Sequence, residues 1–96
     1  NKAIELSPDD AATRNLRGVV RFNLQDFEGA IADYSKAIEL DEENPTYYDN
    51  RALAREQKQD YTGAMEDYSV SIDLFPSDPE TYLERGKIKI KMNNNC

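Results

Sequence analysis

Nineteen Asp and Glu residues against 12 Lys and Arg, one cysteine and no histidine make carboxylates the main chemical resource of this chain. Adjacent acids such as Asp9-Asp10 and Glu42-Glu43 could in principle do acid–base work, which needs two carboxyl groups held in unlike surroundings. Their places favour a plainer role. They lie beside helix starts and in loops, where acidic side chains cap free N–H groups or sit in water. The run Asp41-Glu42-Glu43-Asn44 lacks the spacing and the glycine of a calcium-binding loop. Histidine, the commonest general base and metal ligand, is missing. Cys96, alone and last, has no base beside it and no thiol to pair with. No glycine-rich loop is present to cradle a phosphate. The residues therefore point away from catalysis and imply no cofactor and no metal.

A second set of residues is charged and periodic. Arg17, Arg51 and Arg85 stand 34 residues apart, and Asp33 and Asp67 repeat at the same interval. Two readings are open. Each guanidinium lies between helices and pairs with an aspartate, or the arginines form an exposed row for an acidic peptide or a phosphate.

The period itself defines the elements. Ala3-Ile4-Glu5-Leu6 returns as Ala37-Ile38-Glu39-Leu40 and again as Ser71-Ile72-Asp73-Leu74. Residues 11–44 laid over 45–78 give eleven identities without a gap, among them Gln25/Gln59, Asp26/Asp60, Gly29/Gly63 and Tyr34/Tyr68. Within each unit the apolar spacing is helical and interrupted once. Asn44-Pro45 and Asp78-Pro79 read as an N-cap followed by proline at the first helical position, and Asp10 offers the same cap one unit earlier. Asp26 and Asp60 cap a second helix, whose stripe is Ala30, Tyr34, Ile38 and Ala64, Tyr68, Ile72. Two helices of about 13 residues joined by two or three residues lie antiparallel as an αα-hairpin. Gly18, Ala52 and Gly86 on first helices and Ala30 and Ala64 on second ones mark the crossing. Close backbone approach explains why glycine is kept inside a helix at 18 and 86.

At 96 residues the chain holds one domain's worth of sequence. Its net charge of −7 repels nucleic acid and anionic lipid and favours basic partners. No apolar run approaches the roughly 18 residues of a membrane span, and the first residues lack the basic-then-apolar order of a signal peptide. Neither nucleic acid nor membrane is an expected partner.

These residues resemble the tetratricopeptide repeat, a 34-residue helix-turn-helix unit. Counted from Ala11, the family's small positions hold Gly18, Ala30 and Ala37, its aromatic holds Tyr34, and its terminal proline is Pro8 and Pro76 but Glu42 in the first full unit. An early aromatic is present as Tyr48 and Tyr82 but is Arg14 in that unit, and the arginine ladder replaces a frequent leucine. The resemblance implies an all-α fold, a right-handed superhelical solenoid of antiparallel helix-turn-helix repeats. It divides the chain into the end of a second helix (1–10), two full units (11–44 and 45–78), and a first helix with a fraying tail (79–96). It also implies a non-catalytic scaffold that binds a peptide or protein segment in a concave groove.

In the family that groove is lined by five first-helix positions. Here they hold Ala12, Asn15, Val19, Phe22 and Asn23, then Thr46, Asp49, Leu53, Glu56 and Gln57, then Glu80, Leu83, Lys87, Ile90 and Lys91. Val19, Leu53 and Leu83 offer apolar contact, while Asn15, Asp49 and Gln57 can bond a peptide backbone; Phe22 and Ile90 could instead pack on neighbouring helices. Members that bind acidic chaperone tails use a carboxylate clamp of five residues. The matching positions hold Asn15, Val19, Asn50, Glu80 and Glu84, so only Asn50 agrees and the two glutamates reverse the required charge.

The alternative is self-association. Neither end carries a dedicated capping helix, and Tyr82, Ile88 and Ile90 of the last helix lack a second helix to cover them, so copies could stack head to tail.

Overall fold

The computed structural model describes residues 10–94, in five α-helices: α1 (Ala11–Asn23), α2 (Phe27–Leu40), α3 (Pro45–Gln57), α4 (Tyr61–Leu74) and α5 (Pro79–Asn94). Each boundary follows from a local side chain. Asp10 accepts from the Thr13 N–H, and Asn44 accepts from Thr46 at 3.0 Å ahead of Pro45. Asp26 and Asp60 accept from the N–H groups of Gly29 and Gly63, each at 3.1 Å. These bonds satisfy donors that a helix start leaves open.

The hairpin turns are built alike. Gln25 and Gln59 adopt left-handed backbone, φ 67° and 65°, while Asp26 and Asp60 donate back to the carbonyls of Arg21 and Arg55 at 2.8 Å. A left-handed residue after a helix is the usual C-terminal stop, and glycine fills it most often. The sequence marks this place only by repeating the same glutamine.

Successive helices pack in chain order, α1 on α2, α2 on α3, α3 on α4 and α4 on α5. The result is an elongated solenoid, 52 × 29 × 17 Å, rather than a bundle around one centre. Its core is a row of small clusters that cross unit boundaries. Ala30 and Tyr34 of one unit enclose Ala54 of the next, with Val19, Phe22 and Ile31 against them. One unit further, Ala52, Ala64 and Tyr68 enclose Ile88. Ala37 and Ile38 meet Tyr47 in the same manner. No hairpin buries its apolar face alone, so each derives stability from the next.

One sequence expectation needs correction. A Cβ on Gly18 would stand 2.6 Å from the Tyr34 ring, the close approach expected there, but Gly86 has nothing within 4 Å of that position. Gly86 is open because no second helix packs on α5 among the described residues. The last helix runs to Asn94. The stub 1–9 and residues 95–96, including Cys96, lie outside the described residues.

Candidate binding groove

The first helices α1, α3 and α5 lie side by side and are tied laterally by polar side chains. Asn50 on α3 donates its amide to the Asn15 carbonyl on α1 at 2.8 Å. The Thr81 hydroxyl on α5 lies 3.5 Å from the Asp49 carboxylate on α3, and Lys91 reaches Glu56 at 3.5 Å. Thus Asn15 and Asn50 are brought together, each occupying part of the other's hydrogen-bonding capacity.

Between α3 and α5 these contacts leave a cavity of about 150 Å³, lined by Asp49, Leu53, Tyr68, Asp78, Glu80, Thr81 and Glu84. Leu53 and the buried ring of Tyr68 make its apolar part, and Leu53 is 37% exposed. The Tyr68 hydroxyl donates to Glu56 at 2.8 Å; burial first, then that bond to a carboxylate, pushes the phenol's pKa up. Four carboxylates line the rest. Asp78 is committed as the cap of α5, accepting from the Glu80 N–H at 3.0 Å and the Thr81 hydroxyl at 3.1 Å. Glu84 has Lys87 beside it at 3.5 Å.

Asp49 is the unusual member. Its Oδ1 is fully buried without a hydrogen-bond partner among the described residues. Burial, chiefly, and the charges of Asp78 and Glu80 hold its carboxyl above the ordinary aspartate range; the nearby Ser71 hydroxyl pulls the other way without closing a bond to Oδ1. Anionic oxygen out of water and unpaired is costly.

The other groove residues fall into two groups. Val19 and Phe22 are half-buried in the cluster around Ala30 and Tyr34, and Phe22 meets Phe27 edge-on at 5.3 Å. Packing, rather than solvent, takes these two side chains. Asn23, Gln57, Leu83 and Lys87 are exposed, and Ile90, open to packing in the sequence reading, is 61% exposed. The single-position assignment had no signal for Tyr68, Asp78 and Thr81, because they sit on a second helix, a turn and an unassigned face.

Two of the three ladder arginines, Arg17 and Arg51, pair with aspartates. Arg17 grips Asp33 with two bonds of 3.0 and 2.8 Å, and Arg51 grips Asp67 with bonds of 2.9 and 2.7 Å. Hydrogen bonding from Arg17 is the largest cause that holds Asp33's pKa below the ordinary value. Its stabilising share is therefore complete above that ordinary value and is lost as pH falls toward the depressed one. Arg51 also donates to Ser35 at 3.1 Å, and Arg85 donates to Ser69 at 3.2 Å. One turn on from Arg17 and Arg51, Arg21 and Arg55 approach the same aspartates at 3.6 and 3.1 Å. That four-residue spacing was the available sign of their part.

Residues 18–59 match the family model described as TPR repeat. No curated protein sequence matches the chain. Among solved structures, the first TPR of Spaghetti (RPAP3) bound to the HSP90 peptide SRMEEVD is similar with a TM-score of 0.86 at 26% identity, over 91% of this chain and 69% of that one. The second TPR of the same protein with the same peptide gives 0.84 at 28% identity, over 88% and 79%. The second TPR domain of human RPAP3 with the HSP70 peptide SGPTIEEVD gives 0.82 at 25% identity, over 86% and 69%. Residues 18–59 thus carry the TPR repeat signature, and along nearly its whole length the chain shares the all-α helical solenoid fold of these TPR domains.

Proposed function

We propose that this chain is a non-catalytic scaffold that binds a peptide or protein segment along the face formed by α1, α3 and α5. The observation that carries the reading is the open cavity between α3 and α5, with exposed Leu53 at its wall. Support comes from the three similar repeat domains, each solved with a short peptide. A display library screened on the purified chain is expected to yield peptides whose binding Leu53→Glu weakens about tenfold or more, since the change puts a charge on apolar contact area. Peptides indifferent to Leu53→Glu would place the binding surface elsewhere.

The ligand class differs from that of the similar domains. Glu80 and Glu84 stand on α5 where a chaperone-tail clamp needs cations, and Asn50 is already bonded to Asn15. Titration with SRMEEVD is expected to give no saturation below about 1 mM, an affinity of roughly −4 kcal/mol or weaker. Micromolar saturation would overturn the charge argument.

Head-to-tail stacking is a second reading, supported by one stripe along α1 and its C-cap. Leu16, Val20 and Leu24 are 65%, 52% and 75% exposed, whereas Ala54 and Ile88, one and two periods on from Val20, are fully buried by the preceding unit. Sedimentation over a wide concentration range is expected to show self-association that Val20→Glu abolishes. A concentration-independent monomer would dismiss stacking.

A further inference from the structure

We infer that the cavity between α3 and α5 is a specificity pocket for a basic side chain, arginine or lysine, of the bound protein segment. This rests on the groove reading and names the ligand class of its central pocket. Three independent features agree. The first is size: a cavity of about 150 Å³ has room for one long side chain rather than a folded element. The second is the composition of the lining: Leu53 and Tyr68 supply apolar surface for a methylene stem, and Asp49, Asp78, Glu80 and Glu84 supply carboxylates for its head. Lys and Arg are the side chains with that division, apolar stem and cationic end. The third is an uncompensated charge: the Asp49 carboxyl lines the pocket, makes no ion pair among the described residues and has its buried Oδ1 without a hydrogen bond, so a cation held beside it offsets part of a desolvation already incurred by folding.

Charge balance points the same way. Asp49, Asp78 and Glu80 make no ion pair among the described residues, and Lys87 beside Glu84 is the one cation that meets a lining carboxylate within 4 Å there. The carboxylates do not converge on a metal-binding arrangement among the described residues. They suit an organic cation, and their field raises the encounter rate of a basic segment over an acidic one.

The test uses peptides selected from a random display library on the purified 96-residue chain, then resynthesised with each arginine replaced by citrulline and each lysine by norleucine. Binding is read by fluorescence anisotropy at near-physiological salt. One basic position is expected to dominate, its neutral replacement costing about tenfold or more. Asp49→Asn and Glu80→Gln should each lower affinity for the basic peptide while leaving the neutral version unchanged. Glu80, on the exposed rim, keeps the test open if Asp49→Asn alters folding, which circular dichroism would reveal. Glu66→Gln with Asp73→Asn, both exposed on α4 and outside the pocket, should leave binding within about twofold. Equal losses from that pair would reduce the effect to the chain's general charge and overturn the pocket. Selected peptides that depend on Leu53 but carry no basic residue would also overturn it, leaving the groove intact; peptides indifferent to Leu53 would remove both.

Discussion

Arg51→Ala should lower the stability of the chain by about 3 kcal/mol, the low end of the cost of stranding a buried partner of an ion pair. Asp67 is 2% exposed and receives two bonds from Arg51, at 2.9 and 2.7 Å. Without them its charge remains out of water with Arg55, at 3.1 Å, as the residual partner, which keeps the loss at that low end. Arg51→Lys should recover less than half, because an ammonium cannot reproduce the planar fork that bonds both carboxylate oxygens while reaching Ser35. Urea unfolding of Arg51→Ala, Asp67→Ala and the double variant checks the idea. A coupling of about 2 kcal/mol is expected, and additive losses would mean that the pair does not act as a unit.

Ile88→Ala should cost a similar amount, about 2–5 kcal/mol, yet the damage should stay local. Ile88 is fully buried against Ala52, Ala64 and Tyr68. Among the described residues α5 has α4 as its main support, and repeat arrays are stabilised interface by interface. Hydrogen exchange should therefore accelerate through α5 while amides of α1 and α2 keep their protection. Peptide binding should weaken as well, although Ile88 does not line the cavity, because Glu80, Thr81 and Glu84 are carried by α5. Uniform loss of protection across all five helices would show instead that the array unfolds as one cooperative block.

Local chemistry made much of this architecture legible in advance. Asp10, Asp26, Asn44 and Asp60 each bond an N–H two or three residues away, so their role is written in neighbouring sequence. The pairing of Arg17 with Asp33 spans 16 residues within one hairpin and was readable because both members repeat in step. Contacts between units were harder to foresee. Thr81 meets Asp49 across 32 residues, a distance set by how α5 settles on α4 and α3, and the cavity follows from that placement. Phe22 was open between groove and packing for a related reason: only the chain's turn after Asn23 brings Phe27 against its ring. Gly86 shares the sequence position of Gly18 but lacks the aromatic that makes glycine necessary there.

Arg51 stretches 16 residues back to Ser35 and 16 forward to Asp67, and Arg85 repeats the backward reach to Ser69. Such latches make residues 45–78 a self-contained cassette. A duplicated copy brings the serine that the following guanidinium requires and the aspartate that its own requires. Copy number can thus grow by simple tandem duplication, with every new joint fastened by side chains the gene already encodes.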